Sequence, residues 1–472
     1  MLDLSDFKEL GGFIRFFKEI SRIPHGSGNT AAIADYLENF ARDRKLFCYR
    51  DELNNVIIRA DATPGYENRP AVILQGHTDM VAEKRSDCQK DMAVSGLDIY
   101  RDGDFLRADG TTLGGDDGVM VAYALALLDD KAIPHPTVEC VFTSDEETGL
   151  VGATGLDTSV LSGRMMINID SDEEGVLTVG CAGGVRADLS LPVFRENVKE
   201  GGYVMRIDGL VGGHSGIEID KGRENAIKLI GEALADIGDA RIASLSGGNA
   251  DNAIPRSAEA VFLSDIPREE LDAICECLRE RYAVAEKDIS VTLEPAECDS
   301  HLTRESSAAV LRLICDNPTG VIRMDEDLPE LVETSLNMGI ARLGEDAFLL
   351  SFSLRSSVNE RKEELLRRVT DISESLGATV STHGSYPGWK YRKDSPLRDI
   401  MCQVYKKRYG KEASVVTIHA GLECGIFSDK IPELDCVSIG PDNFDIHTPD
   451  EHLSIPSTLR VWEYLKEVLI SL

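Results

Sequence analysis

The sequence predicts an α/β protein into which a second, α+β domain is inserted. Three observations lead there. Up to residue 184, short apolar runs that stop at polar or acidic residues alternate with stretches of helical period. Between 185 and 384 the order becomes β-α-β-β-α-β, the ferredoxin-like order, and it partly recurs. After the Pro/Gly-rich stretch SYPGWKYRKDSP the first style returns. The expected organisation is therefore a discontinuous α/β domain over 1–184 and 385–472, and an inserted domain of two ferredoxin-like units over 185–384.

Each element has its own warrant. In NTAAIADYLENFARDR, Asn29 or Thr30 can cap a helix whose apolar positions fall at helical spacing. NNVIIRA and PAVILQGH are short apolar runs, expected as buried strands. GGDDGVMVAYALALLDD is a glycine-rich turn entering an apolar helix. TVECVFTSDEE and RMMINIDSDEE are strands ending at acids, and helices are expected on both faces of the resulting sheet. In the insert, YVMRIDGL, RIASLSG, AEAVFLS and DISVTLEP are strands, interleaved with the helices ENAIKLIGEALADI and REELDAICECLRERY. The second pass reads SSAAVLRLICDN (helix), LVETSLNMGI and AFLLSFSLRSS (strands), RKEELLRRVTDISESL (helix) and ATVSTHG (strand), with no strand assigned ahead of its first helix. The returning portion holds the helix SPLRDIMCQVYKKRYG, the strand LDCVSIGP and the terminal helix VWEYLKEVLISL.

Composition narrows the partners. The chain has 472 residues, 42% of them hydrophobic, enough to build a core. Its formal charge of −32 disfavours phosphate backbones and anionic lipid, so neither nucleic acid nor a membrane surface is an expected partner. No run approaches the length of a membrane span. The opening MLDLSDFKELGG has acids where a leader would have bases, so a cytoplasmic protein is expected. The eleven cysteines include no C-x-x-C, as in a reduced cytosolic chain that does not bind metal through sulfur.

Polar clusters follow the expected strands or sit in turns: Gly76-His77-Thr78-Asp79, Gly114-Gly115-Asp116-Asp117-Gly118, Asp145-Glu146-Glu147-Thr148-Gly149, Asn168-Ile169-Asp170 and Asp445-Ile446-His447-Thr448-Pro449. Singly, each has a plain explanation. His77 could be a satisfied core histidine, Asp116 and Asp117 a helix cap, Glu146 and Glu147 a surface pair, and Asp170 a turn residue. Together they place acids and histidines at the carboxyl ends of strands, where ligands of α/β sheets collect. Histidine with carboxylate is the ligand set of a zinc, cobalt or manganese centre. Acids so clustered repel unless cations neutralise them.

The ordered series GHTDMV, GGDDG, TSDEETGLVGA, NIDSDEEG, GGHSG, HAGLECGIF and IHTPDE resembles the M20 metallopeptidases, and within them the aminoacyl-histidine dipeptidase branch. The resemblance implies a mixed-sheet zinc-peptidase catalytic domain with an inserted lid domain. It implies two divalent ions, zinc first, with cobalt or manganese suited to the same donors. His77 and Asp170 would hold one ion, Glu147 and His447 the other, and Asp116 would bridge them. Glu146 matches the general base and Asp79 the carboxylate supporting His77. In a strand, residues i and i+2 share a face, so Asp79 is expected to accept the second imidazole N–H. His214 matches a lid histidine that stabilises the oxyanion; a plain turn histidine is the other reading. Arg355 matches the arginine for the substrate carboxylate, and Asn252 a lid asparagine near it. His419 and Glu423 could hold the substrate's amine or simply build a loop.

The implied reaction is dipeptide hydrolysis by a metal-bridging hydroxide, Glu146 moving the proton. A homodimer through the insert also follows from the resemblance. Thr78, Gly115 and Asp117 depart from the family pattern beside ligands, not at them. Two other functions fit the same residues: an N-acyl amino acid deacylase, and a non-catalytic metal-binding protein, for which Glu146 would be superfluous. A nucleotide site is excluded by the lack of G-x-G-x-x-G or a Walker lysine.

Overall fold

The structure, a computed structural model, describes residues 10–472 apart from residue 327. The opening stretch that was read against a leader lies, as far as residue 9, outside the described residues. The chain divides into two compact units. The first comprises the residues up to Gly180 with Trp389–Thr417 and Leu422–Leu472, and the second Cys181–Gly388 with Ile418–Gly421. Among the described residues no helix is long and apolar enough to cross a membrane, and all eleven cysteines are free.

The first unit is built on an eight-stranded mixed sheet. Its order is Phe47–Arg50, Val56–Ala60, Val138–Thr143, Val72–His77, Met165–Asn168, Asp435–Ser438, Val176–Cys181, Ser414–Ile418. The four strands from Val138–Thr143 to Asp435–Ser438 run parallel. Parallel central strands must be covered on both faces, which is why VILQGH and VECVFT are buried at every position. The helix Gly115–Asp129 is apolar on all sides and buried from Gly118 to Leu128. Tyr123 on it stacks on Trp462 and donates its hydroxyl to Thr458 O at 2.5 Å, so its one polar atom is satisfied in the core.

The second unit has one nine-stranded sheet, and its strand order explains the partial repeat. Arg195–Asp208, Arg241–Gly247, Ala258–Leu263 and Ser290–Leu302, with the helices Ala226–Ile237 and Arg268–Tyr282, lie in spatial order fourth-first-third-second. Gly183–Pro192, Val332–Leu343, Ala347–Ser356 and Thr379–Tyr386 repeat that order, joining the first set where Arg241–Gly247 pairs Val332–Leu343. The strand missing from the second pass along the sequence is thus Gly183–Pro192. It precedes the first set, which is nested inside the second.

Candidate metal centre

Because the four central strands of the first unit are parallel, their carboxyl ends share one edge, and each delivers a site residue. His77 is the last residue of Val72–His77, and Glu146 and Glu147 follow Val138–Thr143. Asp170 follows Met165–Asn168, and His447 lies in the segment after Asp435–Ser438. Asp116 comes from the first turn of Gly115–Asp129, where it and Asp117 leave helical geometry. His447 is held by the short antiparallel pair Asn443–Phe444 and His452–Ser454, and has φ 62°. Asp145, at φ 52°, is likewise left-handed. Such conformations are uncommon for non-glycine residues and concentrate at functional sites.

These side chains converge in two trios that share one carboxylate: His77, Asp116 and Asp170, and Asp116, Glu147 and His447, the candidate donor atoms of each lying within 4.8 Å of one another. Asp116 Oδ1 is 3.0 Å from His77 Nε2, and its Oδ2 is 3.2 Å from His447 Nε2. Asp170 Oδ1 stands 3.5 Å from His77 Nε2, and Glu147 Oε1 stands 2.9 Å from His447 Nε2. Glu146 forms a third such group with His77 and Glu147, so it reaches the same place.

The electrostatics are those of a site short of positive charge. Burial and the charges of Asp116 and Glu147 push Asp170 up to about 6, despite the bond to His77. Burial, with Asp116 and Asp170, pushes Asp172 up to about 8. Glu146 is raised well above the carboxylate range by burial and by its acidic neighbours. His77 is held well above its usual value by Asp116, Asp170 and Asp79 although burial opposes this, and Asp116 and Glu147 hold His447 at about 10. The imidazoles therefore carry protons where divalent cations would neutralise the same acids, and the nitrogen-and-oxygen donor set fits zinc, cobalt or manganese.

The structure changes the account of Asp79. The strand ends at His77, and His77 Nδ1 bonds the backbone carbonyl of Asp79 at 3.0 Å, while the carboxylate is 3.6 Å away. Besides facing that ring, the carboxylate accepts the N–H groups of Glu146 (3.0 Å) and Glu147 (3.3 Å) and the hydroxyl of Ser27 (2.8 Å). Face alternation did not apply, because residue 79 lies beyond the strand.

Other residues shape the site without appearing among the sequence candidates. Glu451 accepts backbone N–H groups from Leu113 (2.7 Å), Gly114 (3.0 Å) and Gly115 (2.8 Å), fixing the turn that presents Asp116. A Cβ on Gly115 would stand 2.9 Å from Asn443 Nδ2 and 3.1 Å from Glu451 Oε1, which accounts for glycine there. A Cβ on Gly76 would lie 1.9 Å from Asp117 Oδ2, so the residue before His77 must also be glycine. Glu423 is fully buried and accepts from Gln75 Nε2 and, at 2.6 Å, from Thr143 Oγ1. Burial, with the charge of Asp170, pushes it up to about 7. It thus lies in the interior of the first unit.

The other candidates belong to the second unit. His214 Nδ1 accepts the N–H groups of Gly216 (3.1 Å) and Ile217 (3.2 Å), which leaves the proton on Nε2. Burial and Arg355 lower its pKa, keeping the ring neutral. The backbone carbonyl of Asn252 accepts the Ser215 N–H at 2.8 Å, beside the His214 pairing. Arg355 pairs across the sheet with Ser335 and with Gly184, and donates to Tyr386 Oη at 3.2 Å. His419 Nε2 is 2.7 Å from Ser335 Oγ, and burial with the charge of Arg355 holds its pKa down at about 3.

Residues 73–471 match the model of peptidase family M20/M25/M40. The chain is 36% identical over 464 residues to the cytosol non-specific dipeptidase of Escherichia coli (strain K12), covering 96% of each. The crystal structure of aminoacylhistidine dipeptidase from Vibrio alginolyticus superposes with a TM-score of 0.93 at 34% identity, covering 98% of this chain and 96% of that one. Aminopeptidase PepT from Bacillus cereus shares the fold, at a TM-score of 0.59 and 16% identity.

Proposed function

The chain belongs to peptidase family M20/M25/M40, and from that membership we propose that it is a cytosolic, dinuclear metallo-dipeptidase acting on Xaa-His and other dipeptides. The observation that carries this reading is the pair of trios sharing Asp116. His77 and Asp170 would hold one ion, Glu147 and His447 the other, with Asp116 between them. Two divalent ions there supply Lewis acidity toward the substrate carbonyl and lower the pKa of an attacking water.

The protein's own groups do the rest. Glu146, next in sequence to a ligand, takes the proton of the attacking water and passes it to the leaving amine. Its backbone N–H on Asp79 fixes where it stands. His214 offers an Nε2–H donor, and a donor aimed at the developing oxyanion lowers the barrier by about 2.7–4 kcal/mol. Arg355, flanked by Tyr386, supplies a guanidinium for the dipeptide's carboxylate. Asn252 and His419 would assist it, and Glu423 would act from beneath through Gln75 and Thr143. The same reading has two copies pair through the second unit, which analytical ultracentrifugation tests.

The experiment is to assay purified protein on Xaa-His dipeptides and on N-acetyl amino acids, before and after chelation, with Glu146→Ala alongside. Hydrolysis of free dipeptides that stops on chelation, and a Glu146→Ala variant that keeps its metal but not its turnover, support the proposal. Activity that survives complete metal removal refutes it, and preference for acetylated amino acids moves the substrate to the deacylase class.

A further inference from the structure

Residues 25–29 precede the stretch matched to the family, which begins at residue 73. Their loop is registered on the chain just past His77. Gly26 forms a parallel bridge with Met80, the Ser27 N–H donates to Met80 O at 3.2 Å, and the Met80 N–H donates to His25 O at 3.2 Å. From that fixed backbone the loop makes two further bonds. The Ser27 hydroxyl donates to Asp79 Oδ2 at 2.8 Å, and the Gly28 N–H donates to Asp145 Oδ1 at 2.6 Å.

The second bond ends on the turn that carries Glu146, and the first on the carboxylate that holds that turn. The fully buried Asp79 carboxylate accepts the N–H groups of Glu146 on Oδ1 and Glu147 on Oδ2, and Asp145 is the left-handed residue immediately before them. His77 Nδ1 stands 3.6 Å from Asp79 Oδ1. A carboxylate released from Ser27 can rotate toward that ring and give up its hold on the turn. The hydroxyl is the one side-chain donor among the described residues that holds this carboxylate from the loop.

We propose that Ser27 is a positioning residue for the reaction: through Asp79 it fixes the Asp145–Glu147 turn and, with it, the place of the Glu146 carboxylate. The inference rests on the reading of Glu146 as the base. It uses no group of the second unit, and it gives a working role to the amino-terminal loop.

The test compares full-length Ser27→Ala, Ser27→Thr, Asp79→Asn, the Ser27→Ala/Asp79→Asn double variant and Glu146→Ala on a dipeptide, with metal per chain measured by mass spectrometry. Misplacing a reacting group by a fraction of an ångström predicts a fall in kcat of roughly tenfold or more for Ser27→Ala. At saturating metal, KM and metal content stay as in the parent chain, and Ser27→Thr restores kcat by keeping the hydroxyl. The double variant should be no slower than Asp79→Asn alone, because the two residues act in series. An unchanged kcat in Ser27→Ala, a Ser27→Thr variant as slow as Ser27→Ala, additive losses in the double variant, or loss of metal with kcat would each overturn the inference. Full turnover by Glu146→Ala would instead remove the base reading beneath it, which separates the two failures.

Discussion

Replacing Glu451 by alanine should cost this protein both stability and metal. The carboxylate is 3% exposed, and its two oxygens collect the N–H groups of Leu113, Gly114 and Gly115 at 2.7–3.0 Å, with the Asp116 N–H at 3.4 Å and Asn443 Nδ2 at 3.3 Å. Alanine leaves at least three buried donors unpaired. A buried donor without a partner costs about 1–3 kcal/mol, so even the low end gives about 3 kcal/mol. In a unit of this size that corresponds to a fall in Tm of roughly 6–12 °C. Glutamine keeps one oxygen acceptor but turns an NH₂ toward N–H donors, so its loss should be intermediate. The turn that relaxes presents the carboxylate shared by the two trios. Groups that hold a ligand in place typically affect metal affinity by about 10–100-fold. Thermal unfolding of metal-free protein and competition with a coloured chelator measure the two effects separately. An alanine variant with parental unfolding and parental affinity would refute the claim that this carboxylate organises the turn.

Two further predictions follow from the shared carboxylate and from the charge around it. Asp116→Ala should reduce bound metal from two ions per chain toward none, whereas His447→Ala should leave one, as elemental analysis after dialysis will show; equal losses in both variants contradict the bridging assignment. The second concerns pH. Asp116 and Glu147 raise His447 from 6.5 to about 10, so its protonated form is favoured in the folded state. That stabilisation is fully present below pH 6.5 and is lost as pH rises toward 10. Asp172, raised to about 8 by burial and by Asp116 and Asp170, acts in the same direction, because its ionisation on the way up is penalised only in the folded state. Metal-free protein should thus become less stable from neutral to alkaline pH, with the His447 share reduced by solvent because the ring is half exposed. An entering cation displaces these protons, so metal affinity should climb over the same range. Unfolding midpoints and chelator competition across that range check both signs, and a metal-free protein that gains stability on going alkaline would contradict them.

What could be read in advance was the chemistry of side chains at strand ends. The runs VILQGH, VECVFT and MMIN are mostly apolar and almost wholly buried because parallel strands are covered on both faces, so the histidine and acids at or just after their ends stand out in the sequence. Glu451, although it closes the motif IHTPDE, and Ser27 were not given a role in the sequence, for a common reason. Each acts through hydrogen bonds to backbone N–H groups or to a carboxylate that makes them, and backbone donors leave no trace in residue type. Asp79 was legible as a participant but not in its partners, since its role depends on the strand ending two residues earlier. The nesting of one ferredoxin-like set in the other was hidden too. Its displaced strand, Gly183–Pro192, is separated from its sheet neighbour Ala347–Ser356 by the entire first set.

These residues also bear on the acidic composition. Of the 82 acids, several are buried and accept backbone N–H groups. Glu451 takes those of residues 113–115 and Asp79 those of 146 and 147. Glu139 takes those of Ser162 and Gly163, and Glu286 those of Val211 and Glu224. A carboxylate has about four acceptor sites and no donor, so one such side chain can satisfy a whole turn that has left regular structure. The turns treated this way include the two that carry Asp116 and the Glu146–Glu147 pair, and Glu286 serves the segment that contains His214. Loops that hold reactive side chains away from helix or strand geometry are thereby held by buried carboxylates that satisfy their backbone donors.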